Sequence, residues 1–476
     1  MKKLAVLILA AGIGKRLKSR KAKVLHTIAG EPMIMHVLKK AIALTPLKII
    51  IIIGHQSEAV KACIKESSQA IKFVEQKGLL GTAHAVLQAE KSLHDFDGTV
   101  LILSGDVPLI GDENLRFLYE SHRKAGNDLT IVSTVLTDPS GYGRVLRDAN
   151  GGVIRIIEDR DATEEEKKIR EINTGIYAAE KEFLFTAVKG VKRENTQQEY
   201  YLTDIIEIAV REGRNIGAIT VKNAIEVMGI NTRVELADAE RYFRERKLSD
   251  LMLNGVTIVD PANTYIGPSV SIGIDSIICP NTFLEGMTTI GEDCVIYPNV
   301  RIIDSHLGNR VVVKECCFIL EGEIEDEAII GPFAHLRPET VIKRGAKIGN
   351  FVEVKKSTVG EGSKALHLSY IGDTTIGKGV NIGAGTITCN YDGTKKYPTI
   401  IEDEVFVGSD TQFVAPVRVG RGAVIAAGST ITKDVPRDAL AISRVEQKNK
   451  EDWVRKKKLR VKSSELKVKN KKDKKK

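Results

Sequence analysis

Between residues 266 and 431, aliphatic side chains return every six positions, a period that neither an α-helix nor a half-buried strand produces. The beat runs through Ile266, Ile272, Ile278, Leu284, Ile290, Ile296 and Ile302. After one-residue slips it resumes at Ile324, Ile330, Leu336, Ile342, Ile348 and Val354, and again through Ile401, Val407, Phe413, Val419, Ile425 and Ile431. Glycine often follows the aliphatic position, as at Gly267, Gly291, Gly331 and Gly408. Such a hexapeptide period marks a parallel β-helix whose inward aliphatics stack coil upon coil. Three hexads complete a triangular coil, so this stretch predicts a prism roughly 40 Å long at about 4.8 Å per coil. Its main interruption is CNYDGTKKYPT, Cys389–Thr399, a polar loop of the kind that carries function or meets a neighbour.

The N-terminal part has another texture. Leu4–Ala11, Lys48–Ile53, Lys72–Glu75, Thr99–Leu103 and Leu129–Leu136 read as buried strands. Pro32–Ala43, Ser57–Ser67, Thr82–Lys91 and Glu113–Lys124 read as the helices between them. This alternation predicts an α/β domain with a mostly parallel sheet, whose ligands bind at the carboxyl ends of the strands. Thr232 and Glu235 form a capping box ahead of a helix that stops at Asn254–Gly255. The expected organisation is an α/β domain over 1–230, a linker helix over 231–255, a solenoid over 256–445 and a basic tail over 446–476.

Charge is informative only once located. The chain carries +9, but thirteen Lys/Arg between Arg455 and Lys476 face only Glu465 and Asp473, so the body is nearly neutral. The basicity belongs to a tail expected to be solvated and disordered, and no stable nucleic-acid partner is expected. None of the six cysteines forms a C-x-x-C pair, a pattern that fits scattered thiols in a reducing cytoplasm. The apolar runs at Leu4–Ala11 and Ile49–Ile53 are too short to span a bilayer. The first of them ends in Gly12-Ile13-Gly14 and a dense basic group, not in a signal-peptide cleavage site.

That first run feeds LAAGIGKR. Its glycines let backbone N–H groups approach an anion, and Arg16 and Lys23 supply charge suited to a triphosphate. It is neither a Walker A loop nor a full dinucleotide fingerprint, since Leu17 stands at the third glycine position. In LILSGDVPLI, Asp106 follows a buried strand; it either caps a turn or meets a cation such as Mg²⁺ on substrate phosphates. In the solenoid, His367 lies where the beat wavers, near Lys355, Lys356 and Tyr370, which favours a base over a structural histidine. Cys389 lacks the second base that an acyl-cysteine route needs.

LAAG, EQKGLLGTAHA, SGDVPL, GYGR, INTGIY, EYYLTDII and GINTR, followed by the hexapeptide solenoid, resemble one family from about Leu4 to about Arg444. It is the bifunctional N-acetylglucosamine-1-phosphate uridylyltransferase/glucosamine-1-phosphate acetyltransferase family. The resemblance implies a Rossmann-like nucleotidyltransferase domain joined to a left-handed parallel β-helix acetyltransferase. In the first, Leu9, Ala10, Ala11 and Gly12 would line UTP, Arg16 and Lys23 its phosphates, and Gln76, Gly81 and Thr82 the uracil. Ser104 and Gly105 would lie by the ribose, and Gly143, Glu158 and Asn173 would hold the amino sugar. Asp106 and Asn231 would ligate Mg²⁺.

In the second, His367 would be the base for acetyl transfer from acetyl-CoA. Arg337, Lys355, Tyr370 and Asn381 would bind glucosamine 1-phosphate, and Ala384, Asn390, Tyr391, Ser409, Ala427 and Arg444 would line the acetyl-CoA site. The resemblance also implies a homotrimer with shared clefts. Departures are Ala22 for the usual proline, Lys15 for threonine and Ser104 for an aromatic. The competing readings are a single-activity nucleotidyltransferase with a regulatory or oligomerising solenoid, and a non-enzymatic scaffold of the same plan. Against them stand the KALHLSY and GAGTITCNYDG segments and the intact Arg16, Lys23, Asp106 and Asn231.

Overall fold

The computed structural model describes residues 3–64, 71–78 and 80–473, with side chains through residue 464. It divides into two compact units between Asp250 and Leu251.

The first unit is built on strands β1 (Lys3–Ala10), β2 (Lys48–Ile53), β3 (Ile71–Glu75), β4 (Gly98–Ser104), β5 (Leu129–Val135), β6 (Arg144–Arg147), β7 (Val153–Ile157), β8 (Glu171–Glu180) and β9 (Ile216–Val221). Among the described residues they form one sheet in the order β9-β5-β8-β4-β1-β2-β3, with β6 and β7 attached beside β8. Along that order neighbours are parallel except β8, which runs antiparallel to β4 and β5; β6 is antiparallel to both β8 and β7. Continuous apolar strands are needed because both faces are covered. Val6 and Ile8 of β1 join a core with Val37 and Leu38 of helix α1 (Met33–Ala43). Ala5 and Leu7 face the opposite core, with Leu184 of α2 (Lys181–Gly190) and Ile205 of α3 (Asp204–Arg211). The predicted helix over Ser57–Ser67 is seen from Ser57 to Ile64, and its last residues lie outside the described ones.

The capping box forms as read. The Thr232 hydroxyl accepts from the Glu235 amide at 3.1 Å, and Glu235 Oε2 accepts from the Thr232 amide at 2.7 Å. It opens helix α4 (Arg233–Leu253). Leu236, Ala239, Tyr242 and Phe243 pack against Ile28, Met33 and Ile230, so apolar burial draws the first half of α4 into the first unit.

The second unit is a parallel β-helix of short strands. Its inward residues stack in register, as in Ile266 on Leu284 and Leu284 on Ile302. Every residue of the six-residue beat is buried except Ile272, which is half-buried. The slips have a simple cause: some coils hold eighteen residues, as from Leu284 to Ile302, whereas others, such as the one from Ile302 to Ile319, hold one fewer. Between Ile376 and Ile401, which stack directly, the polar loop is inserted as a hairpin bridged at Tyr391 and Lys396.

Many corners carry Asp or Asn at positive φ, including Asp275, Asn281, Asp293 and Asn299, as expected of residues that tolerate the left-handed region.

The basic tail departs from its expected disorder. Trp453–Asp473 is a helix, α5, whose described side chains are all exposed. Lys, Arg, Leu and Glu are strong helix formers and no Pro or Gly interrupts them, so local propensity suffices without a buried face.

Candidate active sites

The carboxyl ends of β1 and β4 open onto a cleft of about 850 Å³. Leu9, Ala10, Ala11, Gly12, Arg16, Lys23, Gln76, Gly81, Thr82, Ser104, Asp106, Glu158 and Asn231 line it. Gly105, Gly143 and Asn173 are not among the residues that line it. The Gly105 amide donates to Leu9 O at 2.9 Å, and the Asn173 amide to Gly143 O at 2.8 Å. Asn173 Nδ2 donates to the buried Tyr177 hydroxyl at 2.7 Å.

Charge converges at one end of the cleft. Lys23 Nζ donates to Asp106 Oδ2 and, at 2.7 Å, to Asn231 Oδ1. Arg16 Nη2 donates to the same Asn231 oxygen at 2.7 Å. The Ile230 amide donates to Asp106 O at 2.9 Å, which ties the two oxygen-bearing segments together. One carboxylate and one amide oxygen thus already meet on a single cationic nitrogen, the donor set of a hard divalent ion. Among the described residues no three His, Cys, Asp or Glu form a metal cage, so such an ion would take its other ligands from phosphates.

The part of the cleft lined by Gln76, Gly81 and Thr82 is set by backbone contact. Gly81 has φ 114°, and a Cβ there would overlap the Tyr200 carbonyl oxygen. The Tyr200 amide donates to Leu80 O at 2.8 Å, and Tyr200 O accepts from the Ala83 amide at 2.9 Å. EYYLTD therefore clamps the GTAHA turn, and the Leu202 amide donates to the Thr82 hydroxyl at 2.9 Å. Gln76, nearly buried, donates through Nε2 to Gly81 O at 3.0 Å.

Burial pushes the Glu158 carboxyl above the usual carboxylate range, against a bond from Thr203. Burial, then Glu207 and Asp161, push Asp204 up to about 6. Burial pushes the Tyr142 phenol up to about 12. Arg160, Gln197 and Glu199 also line the cleft and were not anticipated. They come from polar loops whose spacing carries no periodic signal.

On the solenoid, His367 is exposed in the strand Lys364–Gly372, and its Nδ1 lies 3.0 Å from Asn350 Oδ1. Four of the residues expected at acetyl-CoA, Ala384, Ser409, Ala427 and Arg444, follow it coil by coil. The Gly385 amide, next to Ala384, donates to Leu368 O at 2.8 Å; Ala384 O accepts from the Asp410 amide at 2.7 Å. Ser409 O accepts from the Gly428 amide at 2.8 Å, and Arg444 Nη1 donates to Ala427 O at 2.7 Å.

A second group is cationic. Arg337 Nη1 bonds Glu353 Oε1 at 2.8 Å, and Lys355 Nζ lies 3.7 Å from Asp373 Oδ2, which also accepts from Asn390. The Tyr370 hydroxyl lies over Gly372 beside Asn390. Lys396 reaches Lys355 from the hairpin, and the facing ammonium holds Lys396 below the usual lysine range. Neither Lys396 nor Asn350 was singled out from sequence, and only the polar loop as a whole pointed to Lys396. Asn381 sits on another wall, in register with Lys364 and Phe406. Tyr391 is exposed on the hairpin.

A family model described as nucleotidyl transferase matches residues 5–225, and one described as bacterial transferase hexapeptide (six repeats) matches 398–433. The chain is 49% identical over 458 residues to the bifunctional protein GlmU of Geotalea uraniireducens (strain Rf4), covering 96% of this chain and 100% of that protein. It is 50% identical over 454 residues to the bifunctional protein GlmU of Thermoanaerobacter pseudethanolicus (strain ATCC 33223 / 39E), covering 95% and 98%. The chain belongs to the GlmU family. In this GlmU-family chain the nucleotidyl transferase match spans nearly all of the sheet and the cleft lining except Asn231, and the hexapeptide match lies within the left-handed β-helix.

Proposed function

We propose that this chain makes UDP-N-acetylglucosamine in two steps at two sites. The β-helix transfers acetyl from acetyl-CoA to glucosamine 1-phosphate, and the α/β unit joins the product to UTP with release of pyrophosphate. The observation that carries this reading is that one GlmU-family chain holds two separately built polar sites, one around Lys23, Asp106 and Asn231 and one around His367.

In the first site a phosphate oxygen of the sugar attacks the α-phosphorus of UTP, and catalysis is positioning plus neutralisation. Arg16 and Lys23 hold the triphosphate. The buried Gln76, with Gly81 and Thr82, presents polar edges to uracil. Leu9, Ala10, Ala11 and Gly12 cradle the nucleotide, and Ser104 and Gly105 flank the ribose. Gly143, Glu158 and Asn173 hold the amino sugar. Asp106 and Asn231 hold the divalent cation, which we assign as Mg²⁺; bound there it neutralises charge on the phosphates.

In the second site only the neutral amine attacks the thioester carbonyl. His367 accepts the proton as the C–N bond forms, and the C–S bond then breaks to release coenzyme A. Arg337 and Lys355 hold the sugar phosphate, Tyr370 and Asn381 the sugar. Ala384, Asn390, Tyr391, Ser409, Ala427 and Arg444 line the acetyl-CoA path. Asn381 stands on a different wall from Lys355 and Tyr370, which supports a homotrimer in which a neighbouring copy completes each cleft. We place the enzyme in the cytoplasm: the cysteines of the described residues are all free thiols, and no helix among them is long and apolar enough to cross a membrane.

The test supplies glucosamine 1-phosphate, acetyl-CoA, UTP and Mg²⁺ to the full chain and follows free thiol and pyrophosphate separately. Both products are expected. Pyrophosphate release from N-acetylglucosamine 1-phosphate and UTP without any thiol release in the full mixture would leave only a single-activity nucleotidyltransferase.

A further inference from the structure

The solenoid strands are two to four residues long, except for Lys347–Lys355 and Lys364–Gly372, which run nine residues each and pair in parallel. In that pair Asn350 stands directly opposite His367. The close fit is built into the backbone: a Cβ on Gly349 would overlap the Leu366 carbonyl oxygen, so only glycine lets the two coils approach here. Ser369 Oγ donates to His367 O at 2.9 Å and pins the backbone that carries the imidazole.

The 3.0 Å contact between His367 Nδ1 and Asn350 Oδ1 has a chemical consequence. A carboxamide oxygen only accepts, so Nδ1 must carry the proton. The lone pair is then on Nε2. A free neutral imidazole divides its proton between both nitrogens, and only the tautomer with a bare Nε2 offers a base there.

We propose that Asn350 is a positioning residue for acetyl transfer, one that fixes the tautomer and ring orientation of His367 so that Nε2 takes the proton from the substrate amine. This rests on the reading of His367 as the base. Asn350 itself touches no reacting atom. It also accounts for the long strands, which place two polar side chains opposite each other at a level where neighbouring coils carry short strands and turns.

The test uses the full chain with ¹⁵N-labelled histidine rings, His367 being assigned by the signal lost in His367→Ala. In the unsubstituted protein Nδ1 is expected to show a pyrrole-type shift and Nε2 a pyridine-type shift. Asn350→Ala is expected to lose that pattern and to lower kcat for acetyl transfer by about 10–100-fold, the usual scale for removing an orienting partner. KM for glucosamine 1-phosphate and uridylyl transfer should stay unchanged, the latter reporting on folding of the rest of the chain. Asn350→Asp, which keeps an acceptor for Nδ1–H, should restore the tautomer and most of kcat. Unchanged ring shifts and kcat in Asn350→Ala, with His367→Ala inactive, would overturn the positioning role alone. Retained acetyl transfer in His367→Ala would instead overturn the base, whatever Asn350 does.

Discussion

Lys396, carried out on the polar hairpin, turns back so that its ammonium meets that of Lys355 on the solenoid wall. Two like charges in contact are unfavourable without an anion between them, and Asp373, 3.7 Å from Lys355, offsets only part of that repulsion. A sugar phosphate would satisfy both. We expect Lys396→Met to raise KM for glucosamine 1-phosphate about tenfold, the worth of one exposed charge-assisted bond, with little change in kcat. Initial rates of thiol release against sugar-phosphate concentration check this, and an unchanged KM would remove Lys396 from the site.

Glu235 does two jobs. Its Oε2 accepts from the Thr232 amide at 2.7 Å and from the Asn231 amide at 2.5 Å, so the helix cap also anchors a cleft residue. Thr232→Ala should cost about 1 kcal/mol of stability and leave uridylyl transfer nearly intact. Glu235→Ala should cost a similar amount and also lower kcat for pyrophosphate release. Equal activity in the two variants would show that the cap does not set Asn231.

Asp204 titrates the stability of the first unit. Its folded value of about 6 lies above the ordinary aspartate value, so folding favours the protonated form. That contribution is complete below about pH 4 and is lost as pH rises through about 6. Asp204→Asn should therefore raise the melting temperature at about pH 8, and the gain should shrink to nothing below about pH 4. Calorimetry across that range reads the effect; a gain that grew on acidification would contradict the assigned sign.

Phe413 is fully buried in the solenoid, stacked on Thr388 and under Ile431. Phe413→Ala should destabilise the second unit by about 3–5 kcal/mol, as a cavity in a close-packed ladder does. Denaturant unfolding of the second unit checks it, with pyrophosphate release as the control for the first.

The solenoid was legible because each inward residue repeats the same demand, so Ile330, Leu336 and Ile342 each point to the same coil independently. The strands Lys3–Ala10 and Lys48–Ile53 were equally plain, being apolar on both faces. The antiparallel strand Glu171–Glu180 was not read, because Glu171, Asn173 and Thr174 interrupt its apolar run. Of the residues that line the first cleft, Gly12, Arg16, Lys23 and Asp106 stood out by glycine and charge, whereas Gln76, Thr82, Ser104, Glu158 and Asn231 were pointed to by the family resemblance alone. What escaped were partners joined only by the fold: Asn350 with His367, Lys396 with Lys355, and Tyr200 with Gly81. No local pattern relates such pairs, since coil register and sheet order alone bring them together. The tail misled because composition reports solvation, whereas helix propensity decides its backbone.

The two chemistries are separate, and crossing two substitutions tests that separation most directly. Free thiol and pyrophosphate are measured in Asp106→Ala and in His367→Ala, each step with its own substrates supplied. Asp106→Ala is expected to lose pyrophosphate release and keep thiol release, and His367→Ala to do the reverse. Either variant keeping the product it should lose would contradict that half of the assignment.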